Sequence, residues 1–187
     1  GEITSLMLKE SNNTSFPTIV AFGKNASRPH HSPTDTRLKE NEFVLTDFGA
    51  ESNRYVSDIS RTFVFGKADK KTREIYNTVL QAQLESIDMI KAGVNGKDVD
   101  AHARKIIDKK FKETFIHSLG HEVGLSVHDG NRLSSQVDFI LKENMVVTVE
   151  PGIYIPSIGG VRIEDTVLVT KGKPKILTNA RKKLMEM

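Results

Sequence analysis

Four carboxylates interrupt otherwise apolar, β-branched runs: Asp47 in "FVLTD", Asp58 in "YVSDIS", Glu150 in "MVVTVE" and Glu164 in "VRIED". Any one alone reads as a turn residue or a strand-edge side chain facing water. Four in four strands carry more weight. If those strands form one sheet, the carboxylates converge on one face. There burial and mutual repulsion raise their pKa values, at a cost of several kcal/mol unless cations offset the charge. Four negative charges match two divalent ions. His117, His121 and His128 crowd into "HSLGHEVGLSVHD", a glycine-punctuated stretch that can turn tightly around a ligand, and His30 and His31 form a second pair in "PHH". A neutral imidazole ligates a metal, and a second one nearby donates a hydrogen bond to a substrate oxygen. One imidazole with four carboxylates suits Mn²⁺, Co²⁺, Fe²⁺ or Zn²⁺ rather than a thiophilic metal. Two such ions about 3.5–4 Å apart activate a bridging hydroxide for hydrolysis. At this level phosphoester, amide and peptide substrates all stay open.

The elements that must position these groups follow from the hydrophobic pattern. Residues 11–42 are dense in Ser, Thr, Asn and Pro around one short strand, "TIVAF". "FVLTDFGA" and "YVSDISRTFVF" predict a pair of strands with a long connection. In the second, Asp58, Ser60 and Thr62 share one face and Ile59, Arg61 and Phe63 the other. The period then switches. Ile75, Val79, Ala82, Ser86 or Ile87, and Ile90 predict a helix over about 69–92, with Gly93 as its stop. Val99, Ala103, Ile106, Ile107 and Phe111 form the stripe of a second, over about 97–111. Two last strands are predicted, "NMVVTVEPGIYI" and "VRIEDTVLVT", with Glu150 and Glu164 inside them. Strands, then helices, then strands give an α+β class with mostly antiparallel pairing.

Composition narrows the function classes. The chain has 187 residues, enough for one sizeable core, and 27 basic against 24 acidic side chains, a net charge of +3. The basic residues are scattered, so charge gives no case for nucleic-acid binding. With no cysteine, disulfides and thiolate metal sites are excluded. No apolar run reaches the length of a membrane span and no leader pattern opens the chain, so the expectation is a soluble, cytoplasmic protein.

The linked motifs "FVLTDFGAESNRYVSDISRTF", "HSLGHEVGLSVHD", "VVTVEPGIYI" and "GGVRIEDTVLVT" resemble the proline-peptidase branch of the pita-bread metallopeptidases, the family of Xaa-Pro dipeptidase (prolidase) and Xaa-Pro aminopeptidase. The resemblance runs over nearly the whole chain. It implies a pita-bread fold, a mostly antiparallel curved sheet with helices on its outer face, with residues 1–187 forming a catalytic domain truncated at its N-terminus. "GEITSLMLKES" matches at most the tail of a helix. The implied metal ligands are Asp47, Asp58, His121, Glu150 and Glu164, with Asp58 and Glu164 bridging two ions, Mn²⁺ or Co²⁺ ahead of Zn²⁺ or Fe²⁺. Glu150 would also handle the proton of the attacking water, His128 would steady the carbonyl oxygen, and His30 would lie near the scissile nitrogen. Arg162 would support the site from the strand face it shares with Glu164.

The resemblance further implies a proline-containing peptide substrate, a homodimer, and neither nucleic-acid nor membrane binding. The Xaa-Pro bond lacks an amide N–H, so its recognition rests on the shape of the ring. A dipeptidase is the first expectation, with Arg132 as a candidate for capturing a C-terminal carboxylate. An aminopeptidase for longer peptides and a catalytically silent binding module are the alternatives. One position departs from the pattern: Glu122 stands where the family usually has glycine, which is compatible with the loop if φ stays negative.

Overall fold

The computed structural model describes residues 1–187. Its chain order is α1 (Glu2–Glu10), β1 (Ile19–Phe22), β2 (Glu42–Phe48), β3 (Ile59–Phe65), α2 (Lys70–Met89), α3 (Gly96–Asp108) and a set of shorter strands. These are β4 (Gly120–His121), β5 (Arg132–Leu133), β6 (Val146–Val149), β7 (Gly152–Ile155), β8 (Gly159–Arg162), β9 (Asp165–Leu168) and β10 (Lys175–Ile176). All the ladders among them are antiparallel, in keeping with the expected α+β class.

β1, β2 and β3 form one sheet in that order, with Asp47 opposite both Ile19 and Ser60. Asp58 was expected within the second strand of this pair, but it precedes β3, and its carbonyl accepts the Thr166 hydroxyl at 2.8 Å. The two C-terminal strands also differ from expectation, because each divides in two. After β6 comes Glu150–Pro151, and proline offers no N–H to continue a ladder. After β8 the Glu164 N–H leaves the ladder for the Ser60 carbonyl on β3, at 3.1 Å. As a result β6 pairs with β9 while β7 and β8 form a hairpin. Asp58, Glu150 and Glu164 therefore stand outside the ladders, where a side chain can leave the pleat, while Asp47 stays within β2.

Both helices form where the periodicity predicts, with shifted ends. Asp69 caps α2 by accepting the Thr72 N–H at 2.7 Å, and Asn95 caps α3 through the Lys97 N–H at 3.0 Å. α2 stops at Met89, short of residue 92, and Gly93 adopts a φ of +91° that favours glycine. α3 stops at Asp108, but Phe111 still reaches the core. The inner faces, Ile75, Val79 and Ala82 of α2 and Val99, Ala103 and Ile107 of α3, pack on Val147, Val149, Ile153, Val161 and Val167 of the strands. Each buried Val or Ile side chain among them contributes roughly 1.5–3 kcal/mol.

Two buried ionic clusters set the strands against the helices. Asp100 on α3 binds Arg104 at 2.7 Å and accepts the N–H groups of Leu119 and Ser135 at 3.0 and 3.1 Å. That fixes the start of the His121 strand and the end of the strand opposite it. Arg61 on β3 pairs with Asp165 at 2.7 Å and also donates to the Glu164 carbonyl, which clamps the break that carries Glu164. Asp165 accepts further bonds from Gln83, Lys182 and Thr178, so Arg61 faces a polar pocket rather than water. The last residues extend the sheet edge, with Val64 and Met185 joined by an N–H to carbonyl bond of 2.9 Å.

Candidate metal centre

Asp47, Asp58, His121, Glu150 and Glu164 come from five separate segments and line one cleft of about 890 Å³. Gly120 lets β4 run against β6, since a Cβ there would collide with the Thr148 carbonyl. The Thr148 hydroxyl then accepts the His121 N–H at 3.0 Å and donates to Glu150 at 3.2 Å, tying the two side chains together. His121 Nε2 lies 3.3 Å from Glu150 and 3.7 Å from Asp58. Asp58, His121 and Glu164 place one ligand atom each within 4.8 Å of one another.

The electrostatics of this group call for cations. His121 Nδ1 donates to the Glu122 carbonyl at 3.1 Å, so a neutral ring turns its Nε2 lone pair toward two carboxylates. Such an arrangement is favourable only with a proton or a metal ion between them. Buried Asp47 Oδ1, Asp58 Oδ1 and Glu164 Oε1 have no hydrogen-bond partner. Burial, with the neighbouring Asp47 and Glu150 charges, pushes Asp58 up to about 8, and burial with the Asp58 charge pushes Glu164 well above its ordinary value. Asp47 is also raised by burial, against the pull of Arg162. Burial opposes ionisation of Glu150 too, but the His121 hydrogen bond and the charges of His117, His121 and Arg162 hold it down to about 2. These hard oxygens and one imidazole fit one or two divalent ions.

Arg162 and Glu164 no longer share a strand, yet their side chains meet at Ser60. Its hydroxyl donates to Glu164 Oε2 at 2.7 Å and accepts from Arg162 Nε at 2.7 Å. Arg162 also pairs with Asp47 at 2.6 Å and donates to the Tyr154 hydroxyl at 2.9 Å. The Tyr154 hydroxyl contacts His117 Nε2 at 2.8 Å. Because His117 Nδ1 faces the Ser118 carbonyl at 2.8 Å, the ring proton sits there and Nε2 accepts from the tyrosine. Burial holds His117 below its ordinary pKa.

Ser60 and Tyr154 were not among the sequence candidates, and His117 stood among the clustered histidines without a role of its own. His117 shares its glycine-punctuated stretch with His121, which was the available signal. Nothing local marks Ser60 or Tyr154.

The remaining candidates ring the cleft. His128 is exposed, and its ring lies 4.3 Å from that of His121 between centroids. Burial, with the charges of His121 and Arg132, holds it below its ordinary pKa. His30 is exposed on the opposite loop, while His31 is buried with its Nε2 unpartnered. Arg132, opposite His121 in the β4–β5 ladder, lines the cleft mouth and makes no ion pair, whereas Arg162 is fully engaged. Glu122 is not among the positive-φ residues, so it occupies its place without strain.

A mostly antiparallel sheet backed by helices, with a buried carboxylate–imidazole cluster in its cleft, defines a metallopeptidase-like protein. The chain belongs to metallopeptidase family M24, whose model matches residues 1–171. It is 47% identical over 171 residues to the Xaa-Pro dipeptidase of Pyrococcus furiosus, an alignment covering 91% of this chain and 49% of that protein. It superposes on the dipeptidase of Pyrococcus horikoshii with a TM-score of 0.96 at 40% identity, covering all of this chain and 52% of that one. The X-Pro aminopeptidase of Thermotoga maritima gives a TM-score of 0.94 at 38% identity, covering 100% and 55%. The fold is thus the expected pita-bread fold, and the chain spans about half the length of the curated relatives it matches.

Proposed function

We propose that this chain carries the catalytic site of an Xaa-Pro dipeptidase. The observation that carries the reading is the cluster of buried carboxylates with unpartnered oxygens around His121, in a cleft that also holds a free arginine. Asp47, Asp58, His121, Glu150 and Glu164 would hold two divalent ions, Mn²⁺ or Co²⁺ foremost. The ions supply positive charge that lowers the pKa of a bound water and polarises the scissile carbonyl. Glu150, ionised throughout the physiological range, takes the proton of the attacking water. That proton passes to the prolyl nitrogen as the C–N bond breaks, and His30, which lines the cleft, is the residue we assign to that nitrogen. His128, neutral at pH 7, donates an N–H to the carbonyl oxygen as it becomes negative. Arg162 and Tyr154 hold Asp47 and His117 in place.

Arg132 favours a dipeptidase, because an unpaired guanidinium at the cleft mouth matches the free carboxylate of Xaa-Pro. The likeness to an aminopeptidase structure supports a second reading, cleavage of longer Xaa-Pro peptides. The test is hydrolysis of an Xaa-Pro dipeptide and an Xaa-Pro-Xaa tripeptide by metal-stripped protein, with and without added Mn²⁺ or Co²⁺. Dipeptide cleavage that needs the ion and falls by about 10³ or more in Glu150→Gln is expected. Arg132→Ala should raise KM for the free acid about tenfold and leave the C-terminal amide unchanged. Preference for the tripeptide selects the aminopeptidase, and absence of cleavage with ions bound refutes the peptidase reading.

A further inference from the structure

The stretch between β4 and β5 carries His128 and delivers Arg132 to the cleft; Val123 at its start is buried, but beyond it the stretch has little apolar anchoring, with Leu125 56% exposed. Polar contacts from Glu122 hold it instead. The Glu122 N–H donates to the Asn131 carbonyl at 2.9 Å, and the Glu122 carbonyl accepts the Asp129 N–H at 3.0 Å. The same carbonyl takes the His121 Nδ1 proton at 3.1 Å. At the far end of the residue, carboxylate Oε2 accepts both the Asn131 N–H at 2.7 Å and its side-chain amide at 3.0 Å. The carboxylate fills the space over Gly130, whose φ of +152° and missing Cβ allow the approach. Asp129 closes the tip by accepting the Leu125 N–H at 2.8 Å.

We propose that Glu122 is a positioning residue. Its carboxylate clamps the base of the 123–130 loop, so that the His128 ring stays beside His121 and Arg132 stays at the cleft mouth. Its effect on turnover passes through His128, and to that extent the inference rests on the peptidase reading. A carboxylate taking two N–H donors from one residue makes charge-assisted hydrogen bonds, stronger than neutral ones. Without them the loop keeps its backbone pairs, the buried Val123 and the Asp129 contact at its tip, and the imidazole loses the fixed aim that an oxyanion donor needs.

The experiment combines amide hydrogen exchange with a double-mutant cycle. Glu122→Ala should speed exchange at Asp129 and Asn131 by about tenfold. It should also lower kcat by about tenfold with KM for dipeptide amides unchanged, but by less than about twofold in a His128→Ala background. Glu122→Gln, which keeps an acceptor oxygen, should restore most of both effects. Unchanged exchange, or the same loss of kcat in both backgrounds, overturns the proposal. If the parent chain cleaves no peptide, the peptidase reading fails and the exchange result alone decides the clamp.

Discussion

Replacing Asp58 by asparagine tests whether the buried carboxylates need a cation. In the metal-free protein the group titrates at about 8 instead of its ordinary 3.8, chiefly because burial disfavours its charge. Below pH 3.8 it is protonated in both folded and unfolded chains and the substitution has little effect. As pH rises, the unfolded chain releases its proton first, the folded state binds more protons, and stability falls until the folded group ionises as well. At about 1.4 kcal/mol per pH unit, the window amounts to an upper bound of roughly 6 kcal/mol. Part of that is shared repulsion with Asp47 and Glu150, so ~3 kcal/mol is the expected gain for Asp58→Asn above pH 8. The new amide has acceptors beside it in the neighbouring carboxylates. With saturating Mn²⁺ the sign reverses, since the parent gains binding free energy that the variant loses. Denaturant unfolding at pH 5 and pH 8, with chelator and then with excess Mn²⁺, measures all four corners. A variant-to-parent gap that is the same at both pH values, or a variant stabilised by Mn²⁺ as much as the parent, would refute the reasoning.

Two further outcomes follow from the buried networks. Tyr154→Phe removes a hydroxyl that takes a proton from Arg162 and gives one to His117. Equilibrium unfolding should show a loss of about 1–3 kcal/mol, and the His117 ring signals in NMR should shift. Asp165→Ala strands Arg61 and Lys182 in a buried pocket, and chemical denaturation should show a loss of about 3–5 kcal/mol.

The sequence reading reached the convergence of carboxylates and imidazoles because a charge inside an apolar β-run is costly enough to need a reason. Asp47, Asp58, Glu150 and Glu164 advertise themselves in this way. The helices were legible from their stripes, with N-terminal ends set by the Asp69 and Asn95 caps, but their C-terminal ends fall early, at Met89 and Asp108, because buried Ile90 and Phe111 continue each apolar stripe past the last helical residue. The strand breaks were not legible in the same way. Pro151 gave a local hint, but Glu164 leaves its ladder for a carbonyl on β3, a partner that no local pattern names. Ser60 and Tyr154 escaped for a similar reason, and so did the role of His117. A serine, a tyrosine and a loop histidine are ordinary in isolation, and only the tertiary structure joins them to Arg162. Glu122 stood out solely as a departure from the expected glycine, and its bonds to Asn131 depend on a turn nine residues away.

The spacing of the candidate ligands along the chain bears on how the molecule comes together. Asp47 meets Arg162 across 115 residues, and Ser60 meets Glu164 across 104. The β7–β8 hairpin can form locally, but the cleft closes only when the two ends of the chain dock, after the entropy of a long loop has been spent. That last event also presses like charges together. A divalent ion held by all five side chains would tie distant segments to one point, acting as a reversible cross-link that rewards the slowest contact in the fold.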